Sequence, residues 1–411
     1  MIDLDAQREF AESTVRKLRA AGHEAYFAGG CVRDLLAGRV PKDYDVATAA
    51  LPDEVRELFG RRRTLAIGAA FGVITVLGPK SAGTVEVATF RQDLGYTDGR
   101  RPDEVAFCSA EEDARRRDFT MNGLFLDPLD QRVLDFVGGR DDLERRLVRA
   151  IGDPRERFTE DKLRMLRAVR FAAGFGFAIE EHTAAAIREM ASEIVVVSAE
   201  RIAAEMRRML VEQGRAEAVR LLLETRLALQ VFPEIVPQHA EQSDRLARSL
   251  TALPRLDGPS FPLALGVLLC GLTLPEGVEA VGRRWRLATK ETERSRWLVA
   301  HHDRLAGATM QAWSHLQPLL TTEGIHDLLA CAAAREDATP QEIAFCTEKL
   351  ALPPEELSPP PLLTGDDLRR GGLVPGPRFA SLLAELRAAQ LDGVVHTTEE
   401  AWALVRASLG C

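Results

Sequence analysis

Asp43 and Asp45 stand one residue apart, with Tyr44 between them and Val46-Ala47-Thr48 following. On extended backbone, residues i and i+2 project to the same face, so these two carboxylates would lie side by side. Carboxylates that close repel each other unless a cation is shared between them. A hard divalent ion with oxygen ligands, Mg²⁺, suits such a pair. Upstream, an apolar run from Ala25 to Ala28 leads into Gly29-Gly30-Cys31-Val32-Arg33-Asp34. Glycines that open a helix let backbone N–H groups approach phosphate oxygens, and the helix dipole favours the anion there. Singly, a D-x-D pair or a Gly-Gly pair is common on turns. In this order they read as a triphosphate cradle beside a metal site.

The elements needed to position these residues can be read around them. Leu4 to Ala21 has apolar residues at helical spacing and ends at Gly22. Glu24 to Ala28 reads as a strand, Val32 to Leu36 as the helix after the glycines, and Asp43 to Thr48 as the strand carrying the acids. Val73 to Leu77 and Thr84 to Arg91 read as a hairpin across Gly78 to Gly83. Glu86 alternates with valines and so opposes their face; a solvated edge carboxylate has the same pattern. Gln92 to Asp103 is a long polar loop. Ala110 to Asn122 contains Arg115-Arg116-Arg117-Asp118-Phe119-Thr120-Met121-Asn122, and Val133 to Gly139 reads as the last strand. From about residue 141 the 3.6-residue period dominates: Asp142 to Arg146, Glu160 to Phe175, Glu181 to Met190, Ala199 to Val211 and Arg215 to Leu229.

Within Glu160 to Phe175, Thr159 is the expected N-cap and Glu160 and Asp161 fill the first turn. Leu163, Leu166 and Val169 make one stripe; Asp161, Arg164, Arg167 and Arg170 make another at steps of three. Intrahelical ion pairs account for such a stripe. A second chemistry is also available to it. Cytosine and adenine share an exocyclic amino donor next to a ring-nitrogen acceptor, whereas uracil and guanine reverse that edge. An aspartate accepting from the amino group beside an arginine donating to the ring nitrogen would admit C and A. Each mismatched hydrogen bond would cost on the order of 1–3 kcal/mol.

The glycine turn with Asp43-Tyr44-Asp45, the Arg-Arg-Asp-Phe-Thr run at 116–120 and the Glu-Asp-x-x-Arg run at 160–164 together resemble class II tRNA nucleotidyltransferases and bacterial poly(A) polymerases, of the polymerase-β superfamily. The resemblance implies an α+β nucleotidyltransferase head with a small mixed sheet (1–150), then an all-α neck carrying the nucleotide-selecting helix (151–235), a helical body (236–355) and a helical tail (356–411). The body is assigned by position only. It implies catalytic roles for Asp43, Asp45 and Glu86, with Mg²⁺ on the two aspartates. Nucleotide contacts would fall to Gly29, Gly30, Arg33, Arg117, Asp118, Asn122, Asp161, Arg164, Arg167 and Arg170. Asp118 would lie near the ribose. The run Asp98 to Pro102 matches a loop tied in the family to switching from cytidine to adenosine addition. The implied reaction is CMP and AMP transfer from CTP and ATP to the 3′ end of tRNA, without a nucleic-acid template. A poly(A) polymerase and a partial enzyme adding only the terminal A share the head motifs; a noncatalytic RNA-binding protein would have lost a metal carboxylate.

The chain as a whole sets outer bounds. Its 411 residues suggest two to four domains, and 46% hydrophobic with 28% charged residues is ordinary for a water-soluble fold. A net charge of −9 argues against indiscriminate binding of nucleic acid. Six cysteines without a C-x-x-C pair suggest a reducing compartment, the cytoplasm. No signal peptide or bilayer-length apolar run is evident, so no membrane partner is expected. His301-His302-Asp303 and His326-Asp327 hint at a metal-dependent phosphohydrolase, but no complete ligand set follows.

Overall fold

The structure, a computed structural model, describes residues 3–94 and 104–409. The expected nucleotide-switching run at 98–102 lies outside them. The chain divides into two compact units, Met1–Val236 and Pro237–Cys411.

The first unit opens with α1 (Leu4–Ala20), capped by the Asp3 carboxylate, which accepts from the Asp5 and Ala6 N–H groups. There follow β1 (Ala25–Ala28), α2 (Gly30–Leu36), β2 (Val46–Thr48), α3 (Pro52–Phe59), β3 (Thr64–Gly68), β4 (Val73–Leu77), β5 (Thr84–Thr89), β6 (Arg91–Leu94), β7 (Glu104–Phe107), α4 (Ala110–Arg115), β8 (Leu124–Asp127) and β9 (Arg132–Asp135). The main sheet has the order β3-β4-β5-β2-β1-β8-β9, with β2 and β5 parallel and the other neighbours antiparallel. It is therefore mixed.

Alternation sorts this sheet into two faces. Phe27, Tyr44, Val46, Ile74, Val76, Val85, Val87, Leu124 and Leu126 share one core with Ala11, Val15 and Leu18 of α1 and Val55 of α3. Tyr26, Ala28, Ala47 and Phe125 share a smaller core on the other face with Phe90 and with Ala110 and Ala114 of α4. Among the described residues the second core takes no residue from β3, β4 or β5, and Glu86 and Leu65 on that side of the face are exposed.

Next come α5 (Gly139–Glu144), β10 (Leu147–Val148), α6 (Pro154–Glu160), α7 (Leu163–Phe175), β11 (Ala178–Ile179), α8 (Glu181–Met190), α9 (Ala199–Val211), α10 (Arg215–Glu224) and α11 (Ala228–Val231). The helices are fastened to the sheet region by main-chain bonds. The Thr120 N–H donates to the Arg149 carbonyl at 2.9 Å and the Ile151 N–H to the Asp118 carbonyl at 3.2 Å. Gly139 is required here, since a Cβ on it would meet the Thr120 carbonyl oxygen at 2.1 Å.

Several sequence expectations change. Strand β2 begins at Val46, so Asp43 and Asp45 lie on the extended backbone leading into it; Pro41 upstream has no N–H for a ladder. Glu160 to Phe175 is two helices broken at Asp161 (φ −150°, ψ 104°), and Thr159 lies inside α6 rather than capping a helix. Asp153 with Pro154 at the first helical position gives the stronger start signal, and it captured that turn. The last sheet strand also ends earlier than expected, at Asp135, whose carboxylate accepts from the Val137, Gly138 and Gly139 N–H groups.

The second unit is helical: α12 (Ala240–Ala252), α13 (Phe261–Leu269), α14 (Pro275–Trp285), α15 (Thr289–His301), α16 (Trp313–Leu320), α17 (Ile325–Arg335), α18 (Pro340–Leu350), α19 (Pro354–Leu357), α20 (Gly365–Arg370), α21 (Pro377–Leu391) and α22 (Thr398–Leu409). Helix α13 is apolar all round because it is buried from Leu263 to Leu269. Leu363, Leu368, Leu382, Leu386, Ala401 and Val405 form a separate core among the last helices. Among the described residues no helix is long and apolar enough to cross a membrane.

Candidate active site

The site begins where β1 turns into α2. Gly29 has φ +70° and ψ −122°, a conformation open in practice to glycine alone. A Cβ there would also sit 2.8 Å from Nη1 of Arg117. The turn thus brings bare backbone against a guanidinium. Beside it, the Ala28 N–H donates to the Asp45 carbonyl at 3.0 Å, extending the β1–β2 ladder by one step.

Tyr44 points into the larger core, its ring 5.3 Å from that of Phe27. Asp43 and Asp45, on either side of it, must face the other way. Val46 pairs with Val87 in the parallel ladder, so one step back Asp45 stands beside Glu86. Glu86 in turn pairs with Thr75. Asp45 is half-buried, while Asp43 and Glu86 are exposed. Burial, then the charges of Asp43 and Glu86, push the Asp45 carboxyl up to about 6 against the pull of Arg117. A carboxylate held that reluctantly, beside two more on one face, is a hard-oxygen donor set short of positive charge, which fits a divalent cation. Among the described residues no three His, Cys, Asp or Glu side chains converge tightly enough to form a ready-made metal cage.

Behind the turn runs a network of arginines and buried acids. Arg33 donates from Nη1 to Oδ1 of Asn122 at 2.7 Å, and Asn122 donates to Oδ1 of Asp118 at 2.9 Å. Arg117 is held by Asp113, Nη2 to Oδ2 at 2.9 Å. Arg167 of α7 grips Oδ2 of Asp118 through Nε at 2.8 Å and Nη2 at 2.6 Å. Burial would raise the Asp118 carboxyl, but Arg167 and the Asn122 hydrogen bond overcome it and hold it at about 2. The Arg33 guanidinium lies over the Phe171 and Phe175 rings at 5.0 and 4.8 Å. That stacking fixes a long side chain at the cradle.

Asp161 occupies the break between α6 and α7. Its Oδ1 accepts from the Leu163 N–H at 3.0 Å, capping α7. Its Oδ2 accepts from Nη2 of Arg201, on α9, at 2.7 Å. Asp161 and Arg164 are therefore neighbours without pairing with each other. Arg164 turns to Glu160 and, through Nη1, to the Arg157 carbonyl at 3.1 Å. The charged stripe is satisfied across elements, by Asp118, Arg201 and Glu205, and by Glu160 of α6, rather than by ion pairs within one helix. The helix break makes this possible by turning Asp161 out of register with the arginines.

These parts enclose an open cleft of about 450 Å³. It is lined by the expected Gly29, Gly30, Arg33, Asp45, Arg117, Asp118, Asn122, Asp161, Arg164 and Arg167. Asp43 and Glu86 do not line it, and Arg170 is turned to Glu205 at 2.6 Å. Arg116, Leu163, Phe171 and Arg201 line it without having been singled out from the sequence. Arg116 stood within the arginine run already noted and Phe171 within the Glu160 to Phe175 stretch. Nothing local distinguished Arg201, whose place depends on α9 packing against α7.

Two family models match this chain: the poly A polymerase head domain over residues 25–149, and the probable RNA and SrmB-binding site of polymerase A over 176–238. The CCA-adding enzyme of Lactiplantibacillus plantarum is 35% identical over 98% of this chain and 96% of its own; that of Lactobacillus helveticus is 32% identical over 95% and 94%. This chain belongs to the CCA-adding enzyme family. The CCA-adding enzyme of Bacillus stearothermophilus, solved in complex with CTP, superposes with a TM-score of 0.76 at 29% identity, covering 97% of both chains. The Thermotoga maritima CCA-adding enzyme, complexed with tRNA, shares the fold at a TM-score of 0.67 and 22% identity.

Outside the CCA-adding head, the His301-His302 pair has structural partners. His301 bonds the Trp297 carbonyl at 2.7 Å and stacks on its ring, and His302 bonds Asp337 at 3.0 Å.

Proposed function

We propose that this protein adds CMP and AMP, from CTP and ATP, to the 3′ end of tRNA. The RNA 3′-hydroxyl oxygen bonds to the α-phosphorus of the nucleotide, and the bond to pyrophosphate breaks. What carries this reading is the juxtaposition of Asp45 with the Gly29 turn and the Asp161–Arg164 junction around one cleft, with Glu86 beside Asp45 in the neighbouring strand. Membership of the CCA-adding family supports it, as does the CTP bound by the B. stearothermophilus relative. On this reading residues 1–150 are the head, 151–235 the neck, 236–355 the body and 356–411 the tail. Five described cysteines are free, which suits a cytoplasmic setting.

Gly29, Gly30, Arg33 and Arg117 bind the triphosphate. The backbone approaches at the glycine turn, and both guanidiniums are pre-oriented by Asn122 and Asp113. Asp118, kept ionised, offers an acceptor to the ribose hydroxyls, with Asn122 beside it. Asp43 and Asp45 would hold Mg²⁺, and Glu86 beside Asp45 would serve the attacking hydroxyl. The metal supplies a lowered pKa for that hydroxyl and charge stabilisation at the phosphorus. Asp161 selects the amino group of C or A: its Oδ2 has a second lone pair free beside the Arg201 bond. Arg164, with Nη1 engaged, keeps other N–H groups for the ring nitrogen. Arg167 acts on the nucleotide through Asp118, and Arg170 braces α7 against Glu205.

Incubation of end-trimmed tRNA with CTP and ATP tests the reading. Three added nucleotides, C, C and A, are expected. A long A tract, or addition of A alone to tRNA ending in CC with no use of CTP, overturns it.

A further inference from the structure

The uncovered side of the catalytic face continues from the carboxylates in a straight ladder row. Asp45 stands beside Glu86, Glu86 pairs with Thr75 on β4, and Thr75 pairs with Leu65 on β3. Alternation puts all four on the face away from the larger core, since Val46, Val87, Ile74 and Val76 all belong to that core and Ala66 packs against it. The row ends at the free edge of the sheet, where Leu65 is 42% and Ile67 90% exposed. Three ladder spacings separate β2 from β3, roughly 14 Å at about 4.8 Å each.

Immediately before β3, Arg61, Arg62 and Arg63 form a turn of 3₁₀ helix, all three exposed. Among the described residues none of them has an ion-pair partner. In a chain with net charge −9, most described arginines near the cleft are paired, so three adjacent unpaired ones are out of keeping with the rest.

We infer that this shelf, from Glu86 across Thr75 to Leu65 and Ile67 with Arg61–Arg63 at its rim, receives the 3′-terminal single strand of the RNA being extended. This deepens the proposed function and rests on it. The nucleotide cradle lies on the β1 side of the carboxylates, around Gly29 and Arg117. The attacking strand must then approach from another side, and among the described residues the β5–β4–β3 side is the one that neither core covers. The shelf suits an unpaired strand. Its apolar side chains offer flat contact to bases and ribose without reading sequence. The arginines offer positive charge to the phosphates, which carries affinity rather than specificity. An acidic protein would match the arginines as well, but it has no reason to lie on the row that ends at the carboxylates.

The test uses the full chain with Arg61→Gln/Arg62→Gln/Arg63→Gln in one variant and Ile67→Ser in another; both change exposed side chains that hold nothing in the fold. The first variant is expected to raise KM for end-trimmed tRNA about tenfold, with KM for CTP unchanged. The salt dependence of tRNA binding, read by fluorescence anisotropy without turnover, should flatten by about two in log–log slope, from ~0.7 per phosphate contact. Ile67→Ser should lower photocrosslinking of a 4-thiouridine near the tRNA 3′ end to residues 61–77. An unchanged tRNA KM and slope, with the wild type still extending tRNA, overturns the shelf and leaves the proposed function standing. Loss of binding to polyglutamate with tRNA binding intact would assign the surface to an acidic protein and also overturn it. Wild type that binds tRNA with the expected slope but extends nothing would sink the function instead.

Discussion

Replacing Asp45 by asparagine should stabilise this protein at neutral pH while ending its catalysis. Folding moves the Asp45 carboxyl from 3.8 up to about 6. At about 1.36 kcal/mol per pH unit, that shift corresponds to roughly 3 kcal/mol. The sign follows from proton binding. Between 3.8 and about 6 the folded state holds the proton and the unfolded state does not. Stability therefore falls as pH rises through that window, and the full penalty is present above it. The substituted amide carries no charge at any pH, and the backbone carbonyl that accepts from Ala28 is untouched. The variant should gain up to about 3 kcal/mol at pH 7.5 in EDTA and nothing at pH 3. For a unit of this size that is a rise in Tm of about 6–12 °C at pH 7.5. Thermal melts followed by circular dichroism at the two pH values measure it. Added Mg²⁺ should then raise the wild-type Tm more than the variant's, because the cation relieves the repulsion that the substitution has already removed. A variant no more stable than wild type at pH 7.5 would refute the electrostatic account of the site.

Four further outcomes are expected. Arg167→Met alone should destabilise by about 3–5 kcal/mol, since it leaves Asp118 buried and unpaired; Asp118→Asn with Arg167→Met should cost less than the sum of the single changes in urea unfolding, as a shared ion pair demands. Because Asp118 is held at about 2, that pair's contribution should be complete above pH 4 and fade as pH falls towards 2, which acid titration of the unfolding midpoint reads directly. Exchanging Asp161 and Arg164 should shift incorporation from C and A towards U and G, but with low turnover, because the new arginine would face Arg201; adding Arg201→Glu should restore rate while keeping the shifted preference, and unchanged C/A selectivity at reduced rate would dismiss the templating role. Gly29→Ala should lower kcat at least tenfold with CTP and ATP alike, from φ +70° strain and the 2.8 Å approach to Arg117, and near-native turnover would mean the turn does not cradle the triphosphate.

Much of the site was readable because its chemistry is local. Gly29 with Gly30, Asp43 with Asp45, and Asp161 with Arg164 each sit within a few residues of their proposed partners in function; the helical remainder follows from period, whereas the head with its mixed sheet was implied by the family resemblance. Strands β3 and β8 were not foreseen. β8 is buried on both faces, so Leu124-Phe125-Leu126 shows no alternation to read. β3 carries exposed Leu65 and Ile67 at an edge, which reverses the usual sign of the pattern. The start of α6 was missed because Thr159 and Asp153 both offer caps, and only Asp153 is followed by a proline at the first helical position. Arg201 and Glu205 escaped notice for a different reason. Their partners Asp161 and Arg170 lie 40 and 35 residues away, and only the packing of α9 on α7 brings them together.

The parallel pairing of β2 with β5 carries a kinetic corollary. Asp45 and Glu86 become neighbours only after the chain between Thr48 and Thr84, with α3, β3 and β4 inside it, has doubled back on itself. Closing such a loop spends chain entropy before any contact repays it, which makes this a late and slow event. A nascent chain that has already formed β1, α2 and β2 would own the glycine turn and both aspartates yet lack the catalytic row. Cation affinity should therefore emerge in step with β5 docking and serve as a clock for completion of the head.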